Sequence, residues 1–234
     1  VLFMLLFLLA VGIKKFMEPH WAYAGMLCVA AQPIVVLAAI TLLVGNLAAL
    51  PQSNVKRLLA YSGIGQIGYM LMALVPGNSD GLAMLLFYLA GYTVTNIGAF
   101  LVIQAVAAGG DAELKDFNGL ARRSPGLALA MLLFILSLAG IPFLVGFWAK
   151  FYVFLAAYNA GLGWLVFAAA LFAIVGLFYY LKVVIAAYMR PAAKDAQPIK
   201  VAPGLAIAIA ICLLAVVIMG LMPGPVVDSA LAAS

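Results

Sequence analysis

Apolar runs as long as a bilayer is thick recur along this chain, and they limit the fold before any motif is read. Leu162–Met189 holds a single charge, Lys182, and Pro203–Met222 holds none. A hydrocarbon core of ~30 Å needs ~20 apolar residues in a helix. The composition agrees: 68% of residues are hydrophobic and 8% charged, where a soluble domain has roughly 45–50% and about 25%. The ten-residue alternation of a membrane barrel is absent, so the spans are helices.

Polar breaks divide the chain. "VLFMLLFLLAVGI" has the length of a signal-peptide core but lacks a starting Met, a basic leader and a cleavage site. It reads as the tail of a helix, and the chain as a fragment. After "KKFMEPHW" one run ends at "GNLAALPQSN", a second goes from Lys56 to "VPGNSDG", and a third from Leu82 to "AAGGDAELKDFNGLARRS". A fourth covers Pro125 to about Tyr158, a fifth Leu162–Met189 and a sixth Pro203–Met222, with a small tail after it. The expected fold is an all-α transmembrane bundle of six to seven spans, one of them interrupted, in a single membrane domain over 1–234.

Charge gives sidedness. Lys56, Arg57, Lys115, Arg122, Arg123, Lys182, Arg190, Lys194 and Lys200 fall on one side, and only Lys14 and Lys15 on the other. The basic side is expected to be cytoplasmic and the C-terminal tail outside. A net charge of +5 reflects this bias and gives no ground for a nucleic-acid partner; the bilayer is the partner expected. Cys28 and Cys212 read as buried hydrophobes, and His20 as a loop residue without metal partners. No cysteine cluster, haem-type histidine pair, phosphate-binding glycine loop or nucleophilic triad is visible.

The exception to this bland inventory is "LSLAGIPFLVGFWAKFYVF", residues 136–154. A continuous helix over 125–158 would be ~51 Å long, well beyond the hydrocarbon core. Gly140 and Pro142 offer an interruption, since proline removes a donor and clashes with the preceding turn. Broken helices at membrane depth are tolerated where protein or water meets the freed groups, and they recur at transport sites. Lys150 falls early in the second half. Burial and the positive helix end both oppose its charge, which suits a group that takes up and releases protons. Glu18, Asp80, Asp111, Glu113, Asp116, Asp195 and Asp228 all lie in loops, so no carboxylate within a span neutralises it. The alternative is a lysine snorkelling to an interface.

Further polar residues recur at helical spacing. Tyr88, Tyr92, Thr95 and Asn96 share one face, and Ser62, Gln66 and Tyr69 another. They suit a watery path equally as well as interhelical glue beside Gly63, Gly65 and Gly68. Lys56 and Arg57 are read either as positive-inside flanks or as buried.

"GNLAALPQSNVKRLLAYSGIGQIGYMLMAL" and the 136–154 stretch resemble the antiporter-like membrane subunits of respiratory complex I. "FYLAGYTVTNIGAF" and "GLFYYLKVV" point within that family to the branch of subunit N of bacterial NADH-quinone oxidoreductase. The resemblance implies fourteen helices in two inverted repeats of five plus flanking helices, of which this chain holds the last six or seven. It implies that Lys150 is the lysine of the interrupted twelfth helix, ending a central polar axis for proton transfer, and that Lys56 matches the lysine of the "KRLL" segment. Lys182 and the polar residues above are candidates for the path. A histidine that sister subunits carry near Tyr92 is absent here, and the upstream lysines and glutamate–lysine pair would precede residue 1. The resemblance further implies a multi-pass protein of the bacterial inner membrane whose partners are the other membrane subunits, with NADH, FMN, Fe–S clusters and quinone bound elsewhere in the complex. A multisubunit cation/proton antiporter subunit and a structural scaffold are the rival readings.

Overall fold

The computed structural model describes residues 21–107, 110–192 and 197–233, with side chains from residue 32 onward. Expectations placed on Lys14, Lys15, Glu18, His20, Lys194 and Asp195, and on the Cys28 side chain, lie outside the described residues. The described fold is all helical: α1 Trp21–Ala49, α2 Val55–Leu74, α3 Ser79–Ala107, a 3₁₀ turn Leu114–Phe117, α4 Leu120–Arg123, α5 Pro125–Ala139, α6 Val145–Asn159, α7 Gly163–Tyr188, α8 Pro203–Leu221 and α9 Gly224–Ala233. The segment after Met222, read from sequence as a tail, is thus mostly helix, and the loop before Pro125 contains two short helical turns.

Helices α1, α3, α7 and α8 are each long and apolar enough to cross a membrane. Helix α2 opens with Lys56 and Arg57 behind an Asn54 cap, whose side chain accepts from the Arg57 amide at 3.2 Å. Helices α5 and α6 have 15 residues each, roughly 22 Å apiece at 1.5 Å per residue. Neither is long enough to cross alone; in tandem they are. The chain is a multi-pass transmembrane bundle. Its outer surface carries Ile207, Ile211, Leu214 and Leu221 of α8 and Phe167 and Phe178 of α7, all exposed, which lipid or protein must cover.

Close helix contacts rest on glycine. A side chain at Gly45 would run into the Gly65 backbone, and one at Gly68 into Thr41 and Leu42, so α1 and α2 approach backbone to backbone. Along α3, the ring of Phe134 from α5 sits over Gly98, and Val145, the first residue of α6, sits over Gly91. Helix α3 therefore lies across the junction of the two half-helices like a splint.

The connections carrying the cations gather at one end. Val55 N donates to Ala112 O at 2.7 Å and Leu114 N to Ser53 O at 2.8 Å. Gly119 N donates to Ala186 O at 3.1 Å. Arg123 reaches Asp116 O at 2.8 Å and Gln197 O at 3.3 Å. The described parts of the 50–57, 110–124 and 186–202 connections thus form one layer.

Candidate functional site

Helix α5 stops at Gly140 because the chain turns left-handed there, with φ +84°. Gly140 N donates to Ser137 O at 2.9 Å and Ile141 N to Leu136 O at 3.0 Å, the paired bonds of a Schellman ending. Residues 140–144 are non-helical, and Phe143 also has positive φ, +72°. Pro142 lies in this linker. The α6 start then passes beside the α5 end: a Cβ on Gly146 would overlap the Ser137 carbonyl. Gly140 serves the break differently from Gly146. Its left-handed φ is what demands glycine, and the atom a Cβ would meet there is Lys150 Cδ at 3.0 Å.

Lys150 is the sixth residue of α6 and is 3% exposed. Its Nζ donates to Leu138 O at 2.7 Å, across the break, and lies 5.0 Å from the Tyr69 ring centroid, within cation–π range. The α5 ending frees that carbonyl and the lysine takes it, so break and charge form one unit. Beside them is a cavity of ≈ 10 Å³ lined by Gln66, Tyr88, Tyr92, Thr95 and Ser137 among others, about the room one water needs.

Gln66 is the hub of the surrounding network. Its Nε2 donates to Leu138 O at 3.2 Å and to Tyr180 OH at 3.1 Å, and its Oε1 accepts from Tyr88 OH. Tyr69 OH donates to Ala169 O at 3.3 Å, and Ser62 bonds back to Leu59 O at 2.8 Å. Ser62, Gln66 and Tyr69 are all buried, as their common spacing anticipated. Tyr88 and Thr95 are buried as well, and Tyr92 is half-buried on the same cavity.

Asn96 departs from that group. At 100° per residue it has rotated away from Tyr88, and it lines a separate lateral cavity of ≈ 460 Å³ with Lys56, Phe100 and Gln104. Lys56 is not beside Lys150. It donates to Gly110 O at 2.6 Å and precedes Gln66 by ten residues of α2, ~15 Å of helix. Asn96 follows Tyr92 by one turn, so α3 sets the two cavities one turn apart. Lys182 is part-buried at the basic end, where its Nζ donates to Leu50 O.

Four functional-looking residues escaped the sequence reading. Tyr179 OH donates to Asn46 Oδ1 at 3.1 Å, the Tyr179 and Tyr180 rings are 4.6 Å apart, and Ser137 Oγ accepts from Gly146 N at 3.2 Å. Asn46 and Ser137 are single polar residues in apolar runs. The tyrosine pair stood in the quoted "GLFYYLKVV", three residues before Lys182.

A helix broken at membrane depth beside a buried lysine is an arrangement that recurs at transport sites. Comparison with known proteins sharpens it: residues 1–176 match the family described as "NADH:quinone oxidoreductase/Mrp antiporter, TM", and the chain belongs to that family. It is 49% identical over 191 residues to NADH-quinone oxidoreductase subunit N 2 of Herpetosiphon aurantiacus, covering 81% of this chain and 35% of that protein. Among solved structures it is similar to a chain of Thermus thermophilus respiratory complex I with bound aureothin, with TM-score 0.73 and 36% identity over 84% of this chain and 45% of that one. The fold is also shared with a chain of the Mrp complex from Dietzia sp., with TM-score 0.77 and 24% identity over 87% of this chain and 46% of that one. The chain thus spans less than half the length of these relatives.

Proposed function

We propose that the chain is a proton-translocating membrane subunit, of the subunit N type, in an NADH:quinone oxidoreductase. The observation that carries this is Lys150, buried and bonded to the carbonyl its own helix break exposes. An ammonium has three donors, and one is spent on Leu138 O. The others face Tyr69 and a cavity with room for about one water, and a proton can pass through such a cavity. Moving one charge across 100 mV costs about 2.3 kcal/mol, so the cycle must alternate Lys150 between two environments separated by several kcal/mol. Rearrangement of Gln66, which shares Leu138 O with the lysine, changes that environment directly.

In this reading Tyr92 and Asn96 step between the Lys150 cavity and the lateral cavity holding Lys56, which serves as a second relay lysine. Tyr88, Thr95, Ser62 and Tyr69 hold the inner network, and Lys182 stands at its basic end. The chain acts as one membrane domain of a translocase of the bacterial inner membrane. Its basic layer faces the cytoplasm and its C-terminus the periplasm, and other membrane subunits cover its apolar flanks. NADH, FMN, Fe–S clusters and quinone are bound by other subunits, whose electron transfer drives the proton step.

The family description also names the Mrp antiporters, so a cation/proton antiporter is the second reading. The test uses inverted membrane vesicles oxidising NADH in sodium-free buffer. The expected result is acidification of the lumen by the native complex without sodium and its loss in Lys150→Met. A strict sodium requirement would favour the antiporter, and undiminished acidification in the variant would leave only a scaffold.

A further inference from the structure

Helix α6 begins with a deficit. The first N–H groups of any helix lack intrahelical acceptors, and Leu144, at its N-cap position, cannot supply a side-chain acceptor. Val145 is fully buried and Gly146 is part-buried. The missing acceptor comes from the other half-helix: Ser137 Oγ accepts the Gly146 amide at 3.2 Å. That hydroxyl is itself held from a third helix. Thr95 Oγ1 donates to Gly91 O at 2.7 Å and lies 3.3 Å from Ser137 Oγ. Ser137 itself has no exposed surface.

We propose that Ser137, held by Thr95, is a positioning residue for Lys150, acting as a surrogate N-cap delivered across the break. The inference rests on the proton-transfer reading of Lys150. Gly146 and Lys150 are four residues apart and stack on one face of α6, so the bond that seats Gly146 also sets where the lysine emerges. Leu138, whose carbonyl receives the ammonium, is the residue after Ser137. The two halves of the broken helix are therefore keyed to each other twice within one turn: serine to backbone amide, and lysine to backbone carbonyl. Removing the first key leaves the second without a fixed reference.

The test uses the assembled complex in proteoliposomes. Ser137→Ala retains the volume but removes the acceptor. Its expected effects are a fall in proton yield per electron and a displaced pH profile of proton transfer. The pH profile of NADH-to-quinone electron transfer stays in place. Thr95→Val should displace the profile less, and Ser137→Thr, which restores a hydroxyl, should return it towards the native one. Hydrogen exchange of the 141–150 segment should quicken in Ser137→Ala. Native yield and profile in Ser137→Ala, with yield lost in Lys150→Met, overturn the positioning role alone. Full yield in Lys150→Met overturns both that role and the reading beneath it.

Discussion

Lys150 is held by groups from three helices: the Leu138 carbonyl of α5, the Tyr69 ring of α2 and the cavity wall that α3 contributes. Such a site tolerates little added volume. Gly146→Ala places a methyl inside the Ser137 carbonyl contact, and overpacking of this kind costs typically 1–3 kcal/mol. The expected outcome is a lowered unfolding midpoint of the purified complex in detergent together with reduced proton transfer; a native midpoint would contradict the packing described here. The lysine was legible in sequence because a lone charge in a long apolar run has few innocent explanations. Ser137 and Asn46 were not, because a single hydroxyl or amide in such a run reads equally well as interhelical glue. Only packing shows that one caps a helix and the other accepts from Tyr179.

At the scale of the element, the broken helix shows how far periodicity and punctuation carry. The excess length of the 125–158 run and its Gly-Ile-Pro sequence located the interruption, and the helices do end at Ala139 and restart at Val145. The weight given to proline was misplaced. Helix α5 is terminated by the left-handed Gly140 and its paired backbone bonds, and Pro142 merely occupies the linker that follows. Pro142→Ala is therefore expected to keep the break and most proton transfer. Gly140→Ala forces a left-handed alanine, at about 1–2 kcal/mol, against the lysine stem. Thermal midpoints of the two variants in one preparation check this: equal or reversed losses would return the break to the proline. The α3 residues show the opposite limit. The sequence reading placed 88, 92, 95 and 96 on one face, but Asn96, about 80° round the helix from Tyr88, lines the neighbouring cavity with Lys56.

For the whole molecule, the charge bias and the fold speak to one arrangement. Every Lys and Arg among the described residues except Lys150 belongs to the layer built by the 50–57, 110–124, 182–192 and 197–202 segments. Helix α9 lies at the far end, against α3. Single cysteines placed at the exposed Asp111 and Ala233 should react with an impermeant reagent from opposite faces, Ala233 from outside. Labelling of Asp111→Cys from outside would invert the topology. Sequence could supply the gathering of the cations at one end because it depends on counts. It could not supply the placement of α9, a ten-residue helix too short for its pattern to stand out.

The central claim is that one buried lysine, presented by a broken helix, carries protons. The most direct measurement is the number of protons moved per electron pair by the complex in sealed proteoliposomes, native against Lys150→Met, at matched rates of quinone reduction. The account predicts a folded, assembled variant whose proton count falls below the native value. An unchanged count at matched electron flux would contradict it.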